Sequence, residues 1–139
     1  MKKLSEMKKL SCGFIIKDIN TGKFLGCHPY GRKDNLCDIP KGGIEEGENY
    51  LETALRELSE ETGMSKEELS NIKEIGRVYY NHRKDLYIFT ADANVDLSKL
   101  TCRSMFDWFG KMVPEMVGYE LGDTNIYFPN MKRVVEKCI

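Results

Sequence analysis

The spacing of hydrophobic residues changes several times along the chain, and each change predicts a different element. Residues 11–17 (SCGFIIK) form a short apolar run that suits a buried strand. Asn20-Thr21-Gly22 is a turn signal, and residues 23–27 suit the returning strand of a hairpin. Residues 29–35 (PYGRKDN) are polar and turn-rich, which predicts a loop, and Cys37-Asp38-Ile39 reads as a short extended piece ending at Pro40. In Tyr50–Thr62 the period becomes helical: Leu51, Ala54, Leu55 and Leu58 fall at i, i+3, i+4, i+7, and Gly63 is a fitting stop. Ser65 and Glu68 have capping-box spacing and predict a short second helix. Residues 73–81 and 86–93, rich in Val, Ile, Tyr and Phe, predict two strands joined near His82-Arg83-Lys84. Residues 94–114 show no clear period. Residues 130–139 predict a closing helix with Met131, Val134 and Val135 facing inward. Strands, helix, strands, helix is the order of a mixed α/β domain whose helices cover a sheet.

Composition narrows the class. The 139 residues, 41% hydrophobic and 31% charged, suit one globular domain spanning residues 1–139. A net charge of −1 gives no broad positive field for holding long nucleic acid by its backbone. Cys12, Cys27, Cys37, Cys102 and Cys138 are odd in number and lack a CxxC spacing. Neither a disulfide framework nor a zinc site is therefore expected, and reduced thiols in a cytoplasmic protein are. The basic start MKKLSEMKKL is not followed by an apolar run of signal-peptide length, and no stretch is long enough to span a bilayer, so no membrane partner is expected.

The candidate chemistry lies around the first helix. Glu57, Glu60 and Glu61 share a sector about 100° wide, turned away from the leucine stripe. Carboxylates crowded in this way repel one another, and a solvated helix face is the ordinary reason to tolerate them. A hard divalent cation gives a second reason, because carboxylate oxygens are the ligands Mg²⁺ prefers. Before the helix, Pro40-Lys41-Gly42-Gly43 permits a sharp turn and a close backbone approach to a ligand. Glu48 lies near the helix start, where the dipole favours a carboxylate, and Arg56 is placed to fork hydrogen bonds to carboxylates.

Together these residues resemble the Nudix box, GX5EX7REUXEEXGU with U apolar. Gly42, Glu48 and the run Arg56-Glu57-Leu58-Ser59-Glu60-Glu61-Thr62-Gly63-Met64 match it at every fixed position. The resemblance implies a Nudix-type α/β/α sandwich with a mixed sheet, and a Mg²⁺- or Mn²⁺-dependent hydrolase of a phosphoanhydride bond in a nucleoside diphosphate derivative. It implies Glu57, Glu60 and Glu61 as metal ligands, with the Lys41 carbonyl a further one. It also implies that Glu48 and Arg56 tie loop to helix and orient the carboxylates, and that Gly42 and Gly43 shape the loop. Glu60 and, outside the box, Glu115 are both candidates for the base that takes a proton from water.

Three weaker features bear on the substrate. Asp38-Ile39-Pro40-Lys41-Gly42 resembles the (L/I)PKG segment common in dinucleoside polyphosphate hydrolases and diphosphoinositol phosphatases, and points to Lys41 as a substrate contact. Tyr79 and Tyr80 follow the box at about the distance where diadenosine polyphosphate hydrolases carry a tyrosine; Tyr80 is the expected contact. Glu115 and Tyr119 are similar to a Glu-x-x-x-Tyr segment of the same hydrolases, in which the tyrosine helps hold an adenine. Arg32, Lys33, His82, Arg83 and Lys84 are candidate phosphate-facing charges or plain loop cations, and His28 is expected to be packed or exposed rather than a ligand. A small nucleotide is the expected partner, with diadenosine polyphosphates or related adenosine dinucleotides as the first substrate class. ADP-ribose, flavin dinucleotide and the cap or pyrophosphate of an RNA 5′ end are the alternatives. A non-catalytic nucleotide-sensing module is the alternative of another kind.

Overall fold

A computed structural model describes residues 8–139; most of the basic N-terminal stretch lies outside the described residues. The elements are β1 (Lys9–Asp18), β2 (Phe24–Pro29), β3 (Lys41–Gly43), α1 (Tyr50–Thr62), β4 (Leu69–Asn81), β5 (Lys84–Ala93), β6 (Met105–Trp108), β7 (Lys111–Pro114), β8 (Met116–Gly122) and α2 (Pro129–Cys138). Six strands make one sheet in the order β4-β5-β1-β2-β8, with β3 also on β1. β1 and β5 run parallel, from Lys9 opposite Lys84 to Asp18 opposite Ala93, while every other pair in the sheet is antiparallel. The sheet is therefore mixed, and β1 is buried at every position from Ser11 to Ile16 because both its faces are covered.

Each face has its own core. Cys12, Phe14, Ile16, Leu25 and Phe89 pack against Ala54 and Leu58 of α1, with Leu51 and Leu55 at the margin. Ile15, Ile39, Val78, Leu86 and Ile88 pack against Met131, Val134 and Val135 of α2. The apolar stripe read from the sequence is thus the face that α1 buries, and the architecture is the expected α/β/α sandwich. Asn49 caps α1 by accepting from Glu52 N at 2.8 Å, and Glu52 returns a bond from Asn49 N at 2.9 Å. No described helix is long and apolar enough to cross a membrane.

Three stretches depart from the pattern-based reading. β4 starts at Leu69 because Asn71, at φ 53°, makes a bulge inside the strand where the sequence signals a turn. The unreadable residues 94–114 hold a hairpin, β6–β7, whose turn sets Phe109 and Gly110 at φ 52° and 87°. A two-residue hairpin turn of that kind usually opens with Asn, Asp or Gly, and the phenylalanine hides it. Residues beyond Pro114, for which the sequence predicts no element, form strand β8, paired to β2 from Phe24 opposite Gly122 to Pro29 opposite Met116.

The feature that positions the site is a fork in the sheet. β1 pairs with β3 near its start, Ser11 opposite Gly43 to Gly13 opposite Lys41, and with β2 only at its end, Lys17 opposite Phe24. The segment leading into β3 fills the gap: Asp38 and Cys27 exchange backbone bonds of 2.8 and 2.9 Å. Gly13 allows this wedge to close, since a Cβ there would lie 2.7 Å from both the Lys41 Cβ and the Pro40 carbonyl oxygen. Gly13→Ala should therefore destabilise the fold by about 1–3 kcal/mol through overpacking. A urea melt checks it: an unchanged midpoint would mean that residues 40–41 are not pressed onto β1.

Candidate active site

Arg56, on α1, is bonded to the glycine loop, to Glu48 and to two carboxylates of its own helix. Its Nε donates to Glu48 Oε2 at 2.7 Å and its Nη2 to Glu48 Oε1 at 3.1 Å, a bidentate pair. Nη1 donates to Glu57 Oε1 at 2.8 Å and lies 3.3 Å from Glu60 Oε2, and Nη2 also reaches the Gly43 carbonyl at 2.9 Å. Glu48 in turn accepts from Glu45 N and from Thr53 Oγ1, both at 2.9 Å. Glu48 is held down at about 2, first by the Arg56 guanidinium and next by the Glu45 N–H. The glycine loop, the helix start and the carboxylate face of α1 are thus fastened at one guanidinium.

The carboxylates differ in surroundings. Glu57 and Glu61 are buried, at 8% and 1% exposure, and Glu60 is half-buried. Glu57 sits over Gly42, where a Cβ would fall inside its carboxyl group, whereas a Cβ on Gly43 would meet open space. Gly42 is therefore demanded by contact, and Gly43 contributes a carbonyl to Arg56. Both oxygens of Glu61 are buried without a hydrogen-bond partner. Burial, then the neighbouring Glu57, then Glu115 push the Glu61 carboxyl far above the ordinary glutamate range.

Glu61 lines a cleft of about 390 Å³ together with Lys41, Asp38, Glu115, Pro29, Tyr30, Phe106 and Met116. Glu115 reaches it from the short link between β7 and β8, and burial first, then Glu57 and Glu60, raise its carboxyl above the usual range. Lys41 Nζ donates to Asp38 Oδ2 at 2.8 Å. Burial would pull the Lys41 ammonium down, but Asp38 and then Glu61 outweigh it and keep it charged. Its ammonium is therefore held by a carboxylate at the cleft wall rather than free in a loop.

Neither tyrosine expected at the substrate is among the residues that line the cleft, although Tyr80 lies near Asp38 and Lys41 of its wall. The Tyr119 hydroxyl donates to the Glu61 carbonyl, and its half-buried ring packs on the α1-side core. Tyr119 instead completes the end of α1: Gly63 N bonds to Ser59 O at 2.9 Å, Ser104 N to Glu60 O at 3.2 Å, and Thr101 N to Thr62 O at 3.0 Å. All four terminal carbonyls of the helix that carries the carboxylates are satisfied. Tyr80 packs against the α2-side core, and its carbonyl accepts from Arg133 at 2.9 Å. Among the basic candidates, Arg32 is engaged by Asp34 at 2.8 Å and lies 4.2 Å from the Phe128 ring centroid. The aromatic wall of the cleft comes instead from Tyr30 and Phe106, whose ring centroids are 6.2 Å apart, with Trp108 stacked edge-on 5.5 Å from Tyr30. These rings are far apart in sequence, and only the fold of the β6–β7 hairpin over the residues after β2 joins them.

The model of the NUDIX domain family matches residues 8–109, most of the chain. The chain belongs to the Nudix family. It is accordingly a hydrolase of pyrophosphate bonds. An uncharacterized 17.7 kDa protein from the e-segB intergenic region of Enterobacteria phage T4 is 34% identical to this Nudix protein over 125 residues, 84% of this chain and 83% of the phage protein. The asymmetrical bis(5′-nucleosyl)-tetraphosphatase of Mus musculus is 36% identical over 78 residues, 51% of this chain and 53% of the mouse protein. A crystal structure of a C. elegans Ap4A hydrolase binary complex has the same fold, with a TM-score of 0.68 at 21% identity over 91% of this chain and 93% of that one.

The buried carboxyl has a measurable signature. The folded state keeps the Glu61 proton to higher pH than the unfolded chain does, so folding takes up a proton above the ordinary glutamate range. Without a divalent cation, stability then falls as pH rises through that window. Glu61→Gln removes this slope. Its metal-free melting temperature should match the wild type near about pH 4 and exceed it increasingly toward about pH 9. Parallel melting curves of the two proteins across that range would contradict the raised proton affinity of Glu61.

Proposed function

We propose that this Nudix domain is a Mg²⁺- or Mn²⁺-dependent hydrolase whose substrate is a dinucleoside polyphosphate or a related adenosine dinucleotide. The observation that carries the reading is Glu61: two buried oxygens without a partner, facing the same cleft as Glu115 and beside Glu57. Buried carboxylates normally have partners, and this donor set is the hard-oxygen set that a divalent cation satisfies. Glu57, Glu60 and Glu61 would hold the ion, with the Lys41 carbonyl as a further donor. A bound divalent cation supplies charge neutralisation at the anhydride oxygens and lowers the cost of removing a proton from water.

The residues of the chain do the rest. Arg56 holds Glu57 and Glu60 in position beside Glu61, and Glu48 keeps Arg56 in place. Glu115 is our choice over Glu60 as the general base. It lines the cleft with its affinity for protons raised, whereas Glu60 leans on Arg56. The Lys41 ammonium, set between Asp38 and Glu61, adds positive charge where a polyphosphate would lie. Tyr30 and Phe106 offer a flat apolar wall for a nucleobase. The mouse relative, named as a bis(5′-nucleosyl)-tetraphosphatase, supports a dinucleotide substrate.

Incubation with Mg²⁺ and a panel of diadenosine polyphosphates, ADP-ribose, flavin dinucleotide and 5′-triphosphorylated RNA, with chromatographic identification of products, tests the proposal. A diadenosine polyphosphate should have the highest kcat/KM, and excess chelator should abolish turnover while the fold persists. Full turnover in chelator, or a clear preference for RNA ends, would overturn it.

Variants separate the roles. Glu57→Gln and Glu115→Gln should each lower kcat by about 10²-fold or more, as expected for loss of a charge-stabilising group or a positioned base. Tyr30→Ala should mainly raise KM, by about five- to a hundred-fold, because stacking on a base serves ground and transition states alike. A KM unchanged on every dinucleotide turned over would remove the aromatic wall from the binding site.

A further inference from the structure

Outside the carboxylate cleft, three metal-ligating side chains meet from three distant parts of the sequence. His28 lies on β2, Glu120 on β8, and Cys37 in the segment that fills the fork of the sheet. His28 Nε2 is 3.0 Å from Glu120 Oε1, Cys37 Sγ is 3.3 Å from the same Oε1, and Cys37 Sγ is 3.6 Å from the same Nε2. One nitrogen, one oxygen and one sulfur thus form a small triangle. A tetrahedral ion with zinc-like bonds of about 2.0–2.3 Å sets its N, O and S ligands about 3.3–3.6 Å apart. The triangle needs shifts of a few tenths of an ångström to accept one.

We propose that His28, Cys37 and Glu120 form a second metal site, selective for a thiophilic ion such as Zn²⁺ and separate from the oxygen-lined cleft. A thiolate, a carboxylate and a neutral imidazole together balance a dipositive charge, with the Cys37 proton released to solvent on binding. The soft sulfur sets the preference: it suits Zn²⁺ and disfavours Mg²⁺, which the carboxylate cluster suits. Three protein ligands leave a fourth position for water or an exchangeable group. The His28 and Glu120 side chains, 26% and 39% exposed, give that side access to solvent. Cys37 itself is fully buried, with its backbone bonded at 2.7 Å to Ile126 O and its carbonyl accepting from Phe128 N at 3.2 Å. It therefore brings its sulfur to the two strands on a fixed arm. The packing is already close on both sides, because His28 covers Gly118 and the Cys37 sulfur covers Gly26.

Sequence spacing gave no zinc pattern because the donors stand at 28, 37 and 120, joined only by the pairing of β2 with β8 and by the Cys27–Asp38 bridge. An ion here would fasten β2, β8 and the residue before Asp38, whose carboxylate holds Lys41 in the cleft. The site is therefore a clamp at the base of the glycine loop, independent of which nucleotide the enzyme cleaves.

Cobalt substitution in saturating Mg²⁺ reads the site directly, since Mg²⁺ occupies oxygen sites and only a sulfur ligand gives a thiolate-to-cobalt charge-transfer band. We expect one equivalent of Co²⁺ to produce that band with tetrahedral d–d bands, and Zn²⁺ to displace it. Cys37→Ser should abolish the band. His28→Gln and Glu120→Gln, at half-exposed positions, should weaken Zn²⁺ binding at least about 10–100-fold, the loss typical of an outer partner alone. Free Zn²⁺ at about a hundred times its Kd should raise the Tm of the wild type by about 8 °C in the same buffer. Absence of the band in the wild type, or its persistence in Cys37→Ser, overturns the proposal. If Cys37→Ser does not fold, unchanged Zn²⁺ affinity in both His28→Gln and Glu120→Gln overturns it.

Discussion

Carboxyl groups buried side by side are the constraint around which the site is arranged. Glu57 and Glu61 sit one helical turn apart on the buried side of α1, and Glu115 faces them across the cleft. Such a group is costly in a low-dielectric setting unless something positive meets it. The chain supplies that only in part. Arg56 reaches Glu57 and Glu60, and Lys41 is already taken up by Asp38. Glu61 is left without a partner. The surrounding structure holds the repulsion in place: Arg56 bolts the loop, Asn49 caps the helix start, and the segment from Thr101 to Ser104 closes the helix end. The helix cannot relax its acidic face without breaking bonds at both ends. Stability has been given up at this point in favour of a preset carboxylate cluster, a common arrangement in sites that bind or react.

What could be read from the sequence follows from which interactions are local. Helix α1 was legible because its apolar stripe, its acidic sector and its glycine stop lie within one stretch, and the stripe proves to be the core-facing side. The sandwich followed from the order of periods. Strand β8 was not legible, since Gly118 and Gly122 interrupt its alternation, and its pairing with β2 is a contact across most of the chain. The β6–β7 hairpin was hidden by a phenylalanine in a turn position that glycine or asparagine usually fills. Tyr119 shows the limit of position-by-position analogy. Its number suggested a base-stacking ring, but its neighbours in space make it a cap on the Glu61 carbonyl. Tyr30 and Phe106 carried no signal at all, because nothing local marks two rings that only tertiary packing brings together.

The two candidate ion sites illustrate the same point from the side of chemistry. The oxygen cluster was visible because its donors share one helix. The His28, Cys37 and Glu120 triangle is built across two strands and a wedge, so only the assembled sheet shows it. Both sit at the fork where β1 exchanges β3 for β2.

The way the hairpin is attached has an evolutionary consequence. Ser104 N bonds to Glu60 O at 3.2 Å, and Glu115 N bonds to Ser104 O at 3.0 Å, so main-chain bonds tie the first foot of the hairpin to α1 and the second foot to the first. Main-chain bonds are indifferent to which side chains are mounted between them. Residues 105–114 can therefore exchange their rings for other shapes while the carboxylates beneath keep their spacing. Drift in these ten residues is enough to re-shape the aromatic wall of the cleft. A lineage carrying this fold can thus change what it cleaves without rebuilding how it cleaves.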